Sequence, residues 1–382
     1  MLIMKNKLQI ILFSLPFFMF SCFQEDPLSD PNEEVLEKLI IDDGGSTGLE
    51  ISNNGNLVIF NFEHFSVLDS KGAFLFQTTP EKHGINTLVI ANDLIFVAGK
   101  SKESSGGKPG ISAYDSNGNP LWEIELEVPE EEVVETMSLK WFNSRLLLFL
   151  VSGSEQSIPP FHKSIPFFEI SLTGELMTSN LGQLATDVDY FANHILILSD
   201  NKMLIQGSRK IREGIANEGV LVYLIEEGQL KWGKEFGNQG FQAINKIKEN
   251  GLGGFWFVGT RQTIAWAIEI DSQGNKVSEI NHQTYESGKN WFYDLEFPKE
   301  GILFAGFTNK GDGDLDEALI ALFNRGGDLI KEEALSQNSH NSRVYAVRKR
   351  GNDEIVFAGW QLNQNSNRFD SWIFSKFLED LN

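Results

Sequence analysis

The side chains whose types and spacing could do chemistry are mostly basic. Lys100, Lys102 and Lys108, then Lys163, then Arg209, Lys210 and Arg212, and finally Arg261 follow apolar β-type segments in four consecutive copies of a repeat. Cations at equivalent positions would gather an anionic group, such as an acidic glycan or a carboxylate-rich segment of a partner; the alternative is solvated charge that keeps loops soluble. Trp360, directly after Gly359, reads either as a stacking platform near a channel mouth or as a core tryptophan. Other constellations fall short. Asp312-Gly313-Asp314-Leu315-Asp316 has the alternating acids of a calcium loop, but Glu317 stands at the turn-glycine position and Phe323 at that of the bidentate acid. Gly99-Lys100-Ser101 ends like a phosphate loop, but Leu94 occupies the place of its first glycine. His64, His83, His162, His194, His282 and His340 lack metal-ligand spacing, and neither Gly-x-Ser-x-Gly nor His-Glu-x-x-His occurs. No catalytic residue, metal or cofactor is expected from these patterns.

Composition narrows the partners. With 32 basic and 53 acidic side chains the net charge is −21, which argues against nucleic acid, because phosphate binding needs a basic face. Such a body repels its own copies and is expected to be monomeric. Cys22 is the single cysteine, so no disulfide framework exists and packed sheet faces must supply the stability.

The elements that would position these residues form a repeat of about fifty residues. Glycines closing a second strand stand at Gly99, Gly153, Gly207, Gly259, Gly306 and Gly359, with spacings of 54, 54, 52, 47 and 53; a degenerate first copy ends near Asn61. A glycine at a fixed strand position marks a bulge or a close backbone approach. Turn glycines at Gly72, Gly118, Gly174, Gly228, Gly274 and Gly327, with spacings of 46, 56, 54, 46 and 53, give a second register and suit the positive φ of hairpins. Strands between them alternate with period 2, as in Trp266-Ala267-Ile268-Glu269-Ile270 and Leu121-Trp122-Glu123-Ile124.

Four short strands per fifty residues predict an all-β fold, a seven-bladed β-propeller of four-stranded blades over residues 35–382. A β-helix, the main rival, has shorter coils without hairpin turns. The last copy offers strands near 343–348, 354–359 and 371–377 but no fourth, while Leu36-Glu37-Lys38-Leu39-Ile40-Ile41-Asp42 looks like an orphan fourth strand. The ring is therefore expected to close by an N-terminal strand, residues 36–42, pairing with residues 371–377 and completing the last blade. Turns between first and second and between third and fourth strands share one face and are short. The other face carries the longer loops 101–110, 154–165, 209–218, 308–316 and 361–368, and is expected to be the working surface.

Gly253-Gly254-Phe255-Trp256-Phe257-Val258-Gly259 and Asp370-Ser371-Trp372-Ile373-Phe374 resemble the degenerate repeats of seven-bladed propellers in secreted and lipid-anchored bacterial proteins. The resemblance spans residues 36–382, is weak in the first three copies, and implies a fold without an activity. Residues 1–21 read as a secretion signal: Lys5 and Lys7 precede the apolar run Leu8 to Phe20, too short to span a bilayer as a helix. Met19-Phe20-Ser21-Cys22 resembles a lipoprotein cleavage site, which would make Cys22 the point of lipid attachment, although Met19 and Phe20 depart from the usual pattern; an unlipidated signal with an incidental cysteine is the alternative. Residues 22–34 are too acidic and too poor in apolar side chains to fold alone and read as a flexible tether, with Phe23-Gln24-Glu25-Asp26 resembling a surface-export tag. The expected function is that of a non-enzymatic outer-membrane lipoprotein, envelope- or surface-located, whose long-loop face binds a protein or glycan. The alternative is a polysaccharide hydrolase or lyase using loop carboxylates.

Overall fold

The computed structural model describes residues 39–41, 45–102, 108–128, 133–153, 163–184, 190–199, 202–209, 219–227, 229–237, 242–311, 313–335, 341–351, 354–363 and 368–377. Among these residues all regular structure is β, in seven four-stranded antiparallel sheets. The innermost strands are Gly48–Ile51, Thr87–Ala91, Val133–Phe142, Tyr190–Ser199, Gln242–Glu249, Asn290–Glu296 and Ser342–Arg350. Each touches the next, and the seventh touches the first. That cycle is the closed ring of a seven-bladed β-propeller.

Alternation along the second strands divides the core into slabs. In blade 3, Leu146, Leu148 and Leu150 pack against blade 2, whereas Leu147 and Phe149 pack against blade 4. In blade 5, Phe255 and Phe257 face blade 4 while Trp256 and Val258 face blade 6. One apolar cluster fills each of the seven gaps between neighbouring blades. Second strands are therefore apolar at nearly every position, because both of their faces are covered. Phe96, Phe257, Phe304 and Phe357 are fully buried in this way, each contributing about 2–3 kcal/mol of burial.

Closure follows the sequence expectation. Leu39–Ile41 is the outermost strand of the last blade, antiparallel to Arg368–Phe377 with Leu39 opposite Ile373, Ile40 opposite Trp372 and Ile41 opposite Ser371. Residues 36–38 and 42 of the expected strand, the signal and tether residues, and the loop cations Lys210 and Arg212 lie outside the described residues.

In blades 4 to 7 the second-strand glycines mark a bulge, whereas Gly99 in blade 2 marks only a close approach, to the Gly84 carbonyl. A Cβ on Gly306 would stand 1.8 Å from the carbonyl oxygen of Trp291, and one on Gly359 would stand 1.9 Å from that of Arg343. Opposite each, the first strand carries one extra residue: Tyr293 lies between Phe292 and Asp294, and Tyr345 between Val344 and Ala346. Asn245 in blade 5 and Asn193 in blade 4 occupy the same place. From its bulge Asn245 reaches blade 6, donating to the Phe292 carbonyl, and the bulges of blades 6 and 7 bring Tyr293 and Tyr345 together.

The turn glycines behave as expected at Gly72, Gly118, Gly174, Gly274 and Gly327, with φ between 79° and 89°; Gly228 lies outside the described residues. In blade 2 the Asp115 carboxylate accepts hydrogen bonds from the amides of Asn117 and Asn119, both at 2.8 Å. Asp69, Asp271 and Asn324 do the same in their blades, and the Ser171 hydroxyl substitutes in blade 3. Loop boundaries need correction on the opposite face. Residues 361–363, expected in a loop, extend the second strand of blade 7 and pair with Asp370, Phe369 and Arg368. The packing of Phe369 on Trp360, at 4.4 Å between ring centroids, holds this longer arm together.

Candidate functional site

The long-loop ends of blades 6 and 7 assemble an array of aromatic rings around one arginine. Register places the parts. Trp291 on the first strand of blade 6 pairs with Phe307, the residue after Gly306; at the equivalent place in blade 7, Arg343 pairs with Trp360, the residue after Gly359. The bulges then bring Tyr293 and Tyr345 face to face, with ring centroids 4.2 Å apart. Contacts run on from Trp291 through Phe307 and Tyr293, and from Tyr345 through Trp360 to Phe369.

Arg343 sits between these rings. Its guanidinium carbon is 4.2 Å from the Phe307 ring centroid and 5.2 Å from that of Trp360, within cation–π range. Nε and Nη2 both donate to Asp316 Oδ2, at 2.8 and 2.5 Å, and Nη1 donates to the Tyr293 hydroxyl at 3.0 Å. Burial and the adjoining Tyr345 push the Tyr293 phenol well above its ordinary value, so it stays neutral and can donate. Asp316, the last acid of the segment that falls short of a calcium loop, neutralises the arginine. Trp291, Tyr345 and Trp360 are half-buried and Phe369 is exposed. Such a surface offers flat apolar faces bordered by fixed hydrogen-bonding groups, which suits stacking on a sugar or another flat ring. Its one carboxylate among the contacts of Arg343, Asp316, is paired with that guanidinium.

The predicted cations are dispersed. Lys100 lines a cavity of about 610 Å³ between blades 1 and 2, with Phe62, Glu63, Asn86 and Lys102 among its walls; Lys102 Nζ donates to the Pro80 carbonyl at 2.7 Å. Arg261 turns outward across its own blade, 2.9 Å from Glu279 Oε1 and 2.6 Å from Asn281 Oδ1, over the Trp266 ring. Its charge is met by a carboxylate of the outer strand. Lys163 begins the third strand of blade 3 and Arg209 ends the second strand of blade 4. Lys100 and Trp360 thus belong to different parts of the long-loop face. Sequence reading missed Arg343, Tyr293 and Tyr345, and weighed Asp316 only as part of a calcium loop. The available signal was the 52-residue spacing of the two tyrosines and the aromatic residue directly after two successive strand-closing glycines.

Deeper along the inner strands lies an ionic network. Arg348 Nη1 is 2.6 Å from Asp294 Oδ2 and Nη2 is 2.9 Å from Glu50 Oε1, so one arginine joins blades 6, 7 and 1. Lys248 binds Glu296 at 2.7 Å across blades 5 and 6. Burial pushes the Asp294 carboxyl up, but Arg348, Lys246 and Lys248 outweigh it and hold the group below its ordinary value. His194 Nε2 donates to the Ile244 carbonyl at 3.0 Å and Asn245 Nδ2 to that of Phe292 at 2.7 Å. These bonds stitch successive inner strands together. The acids here are paired with cations, as structural carboxylates are.

No protein-family model matches the sequence, and no curated protein matches it. Among solved structures, the WD40 domain of Pan2 from Neurospora crassa superposes with a TM-score of 0.54 at 10% identity, covering 89% of this chain and 94% of that one. A structure from a study of two prolyl endopeptidases matches with a TM-score of 0.49 and 12% identity over 88% of this chain and 50% of that one. The WD40 domain of SCAP from fission yeast gives 0.42 and 9% over 90% and 87%. The likeness to Pan2 supports the propeller fold and, at this identity, nothing finer.

Proposed function

We propose that this chain is a lipid-anchored binding propeller of the bacterial cell envelope, held to the outer membrane through Cys22 and presenting its long-loop face to a protein or glycan. The carrying observation is the array around Arg343: half-exposed rings at the strand ends of two adjacent blades, braced by Asp316 and by tyrosine hydroxyls. A rigid scaffold holding aromatic faces at loop level is an arrangement for binding. Of the inner-strand carboxylates, Asp294 and Glu50 are paired with Arg348 and Glu296 with Lys248, which favours binding over glycoside cleavage by these acids. Lys100 and Lys102, at the cavity between blades 1 and 2, supply a second and electropositive contact suited to an acidic group.

The test is capture on the immobilised chain of neutral and acidic envelope polysaccharides and of envelope proteins, comparing wild type with Trp360→Ala and Lys100→Glu. Trp360→Ala should reduce capture at least about tenfold, the size of losing one ring stack. Lys100→Glu should reduce it only for acidic ligands. Unchanged capture by both variants would remove the long-loop face from the function. Cys22→Ser should release the chain from membranes, and persistent association would refute the lipid anchor.

A further inference from the structure

The opposite face carries a repeated apolar feature. At the second residue of the outermost strand stand Leu75, Leu121, Met177, Leu230, Val277 and Ile330, in six consecutive blades. All six are exposed, between 43% and 61%. In blades 1, 2, 3, 5 and 6 this residue is the extra residue of a β-bulge: in blade 2, for example, Tyr114 pairs with Pro120 and Ala113 with Trp122, leaving Leu121 between them. In blade 4 the bulge falls one residue later, at Lys231. Bulges re-aim side chains, and these aim large apolar groups away from the blade. Blunting an exposed edge would be served better by charge, so edge protection does not explain the residue type.

Equivalent positions in a closed ring of similar blades lie on a circle in one plane, here at the rim of the short-turn face. Leu252, 79% exposed, stands in a short turn on the same side. A planar apolar circle fits a flat surface rather than a small ligand. The path of the chain points to which surface. Leu39–Ile41 runs antiparallel to Arg368–Phe377, with Leu39 opposite Ile373 and Ile41 opposite Ser371, so the polypeptide enters this strand from the short-turn side. The first strand that follows Cys22 in the sequence therefore begins on the side of the apolar circle. A net charge of −21 disfavours a second copy as the occupant and an anionic lipid surface alike.

We infer that the short-turn face seats its apolar rim on the interface of a zwitterionic lipid leaflet, which fixes the long-loop face outward. This rests on the anchoring reading above, since one lipid-bearing residue on a tether would leave the ring free to tumble, whereas a rim of shallowly inserted side chains sets its orientation.

The test uses the processed full chain on phosphatidylcholine vesicles. An environment-sensitive fluorophore is attached to a cysteine introduced by Asn117→Cys on the short-turn face or by Glu286→Cys on the long-loop face. The expected result is a blue shift at position 117 on adding vesicles and none at position 286. Replacing Leu75, Leu121, Met177, Val277 and Ile330 together by Asn should abolish the shift while the chain still sediments with vesicles. Circular dichroism and Tm report whether that variant folds; if it does not, Leu121→Asn with Val277→Asn should give an intermediate shift. A sedimenting wild type without a shift at 117 would overturn the proposal, as would a rim-dependent dimer formed without lipid. Failure of the anchor alone reads differently: Cys22→Ser would then sediment unchanged with the rim-dependent shift intact.

Discussion

At the level of single residues, Arg343 and Asp316 show how the candidate site depends on groups that are distant in sequence. Arg343 is about one-quarter exposed and Asp316 about one-eighth, so the pair is well shielded from solvent. Asp316→Asn should lower stability by about 1–3 kcal/mol, because the guanidinium would keep its aromatic neighbours but lose its counter-charge. Urea denaturation at neutral pH measures this directly. Gly306→Ala tests the bulge: its methyl would overlap the Trp291 carbonyl oxygen, a backbone atom with no freedom to rotate away. A loss above about 3 kcal/mol is expected, against a small effect for Gly351→Ala, where nothing stands within 4 Å and only the positive φ opposes the side chain. The glycine register was legible in the sequence because blades 2, 5, 6 and 7 need the same close approach, at Gly99, Gly259, Gly306 and Gly359. The Arg343–Asp316 pair was not, since it joins two blades across a loop and repeats nowhere else among the described residues.

Among the elements, the strand Leu39–Ile41 has the largest structural consequence for its length. Without it, Arg368–Phe377 would be an open edge. Ile41 also packs against the slab between blades 7 and 1. Ile41→Asp should therefore unlatch the strand and accelerate amide exchange selectively along Arg368–Phe377, leaving Glu317–Phe323 in the centre of blade 6 protected. Uniform acceleration would mean that the latch is not a separate unit. This closure was readable beforehand because the last copy lacked an outer strand and an orphan strand preceded the first. The aromatic array was only half readable. Trp360 stood out after its glycine, but its partners required the bulge that turns Tyr345 toward Tyr293; the extra residue shifts the alternation by one place, with Val344, Ala346 and Val347 buried, and that shift alone does not pair the two tyrosines. The predicted cations fared differently: Arg261, expected after a second strand, is the last residue of that strand, and its side chain reaches across its own blade to Glu279, which spacing does not reveal.

For the whole molecule, pH is a direct probe of how the ring is stitched. Burial and Lys246 push His194 down to about 4, against the support of the Ile244 carbonyl. Burial also lowers His83 and His282, the latter despite Glu332 at 2.8 Å. A histidine depressed in the folded state is neutral there while its unfolded counterpart takes up a proton near pH 6.5. Stability should be flat above that value and fall as pH drops from about 6.5 toward 4, by up to about 1.4 kcal/mol per pH unit for each such histidine. His194→Gln should remove one proton from that slope in urea titrations between pH 4 and 8. An unchanged slope would show that His194 is not held neutral between the inner strands.

The central claim, that one face of the ring meets its partner, is tested most directly by photo-crosslinking in intact cells. A photoreactive amino acid is placed at exposed Phe369 on the long-loop face or at exposed Leu252 on the short-turn face. The predicted result is a discrete protein or glycan adduct from position 369 that disappears when Trp360→Ala is added, and no such adduct from position 252. Adducts from position 252 alone, or adducts from 369 that survive Trp360→Ala, would contradict the account.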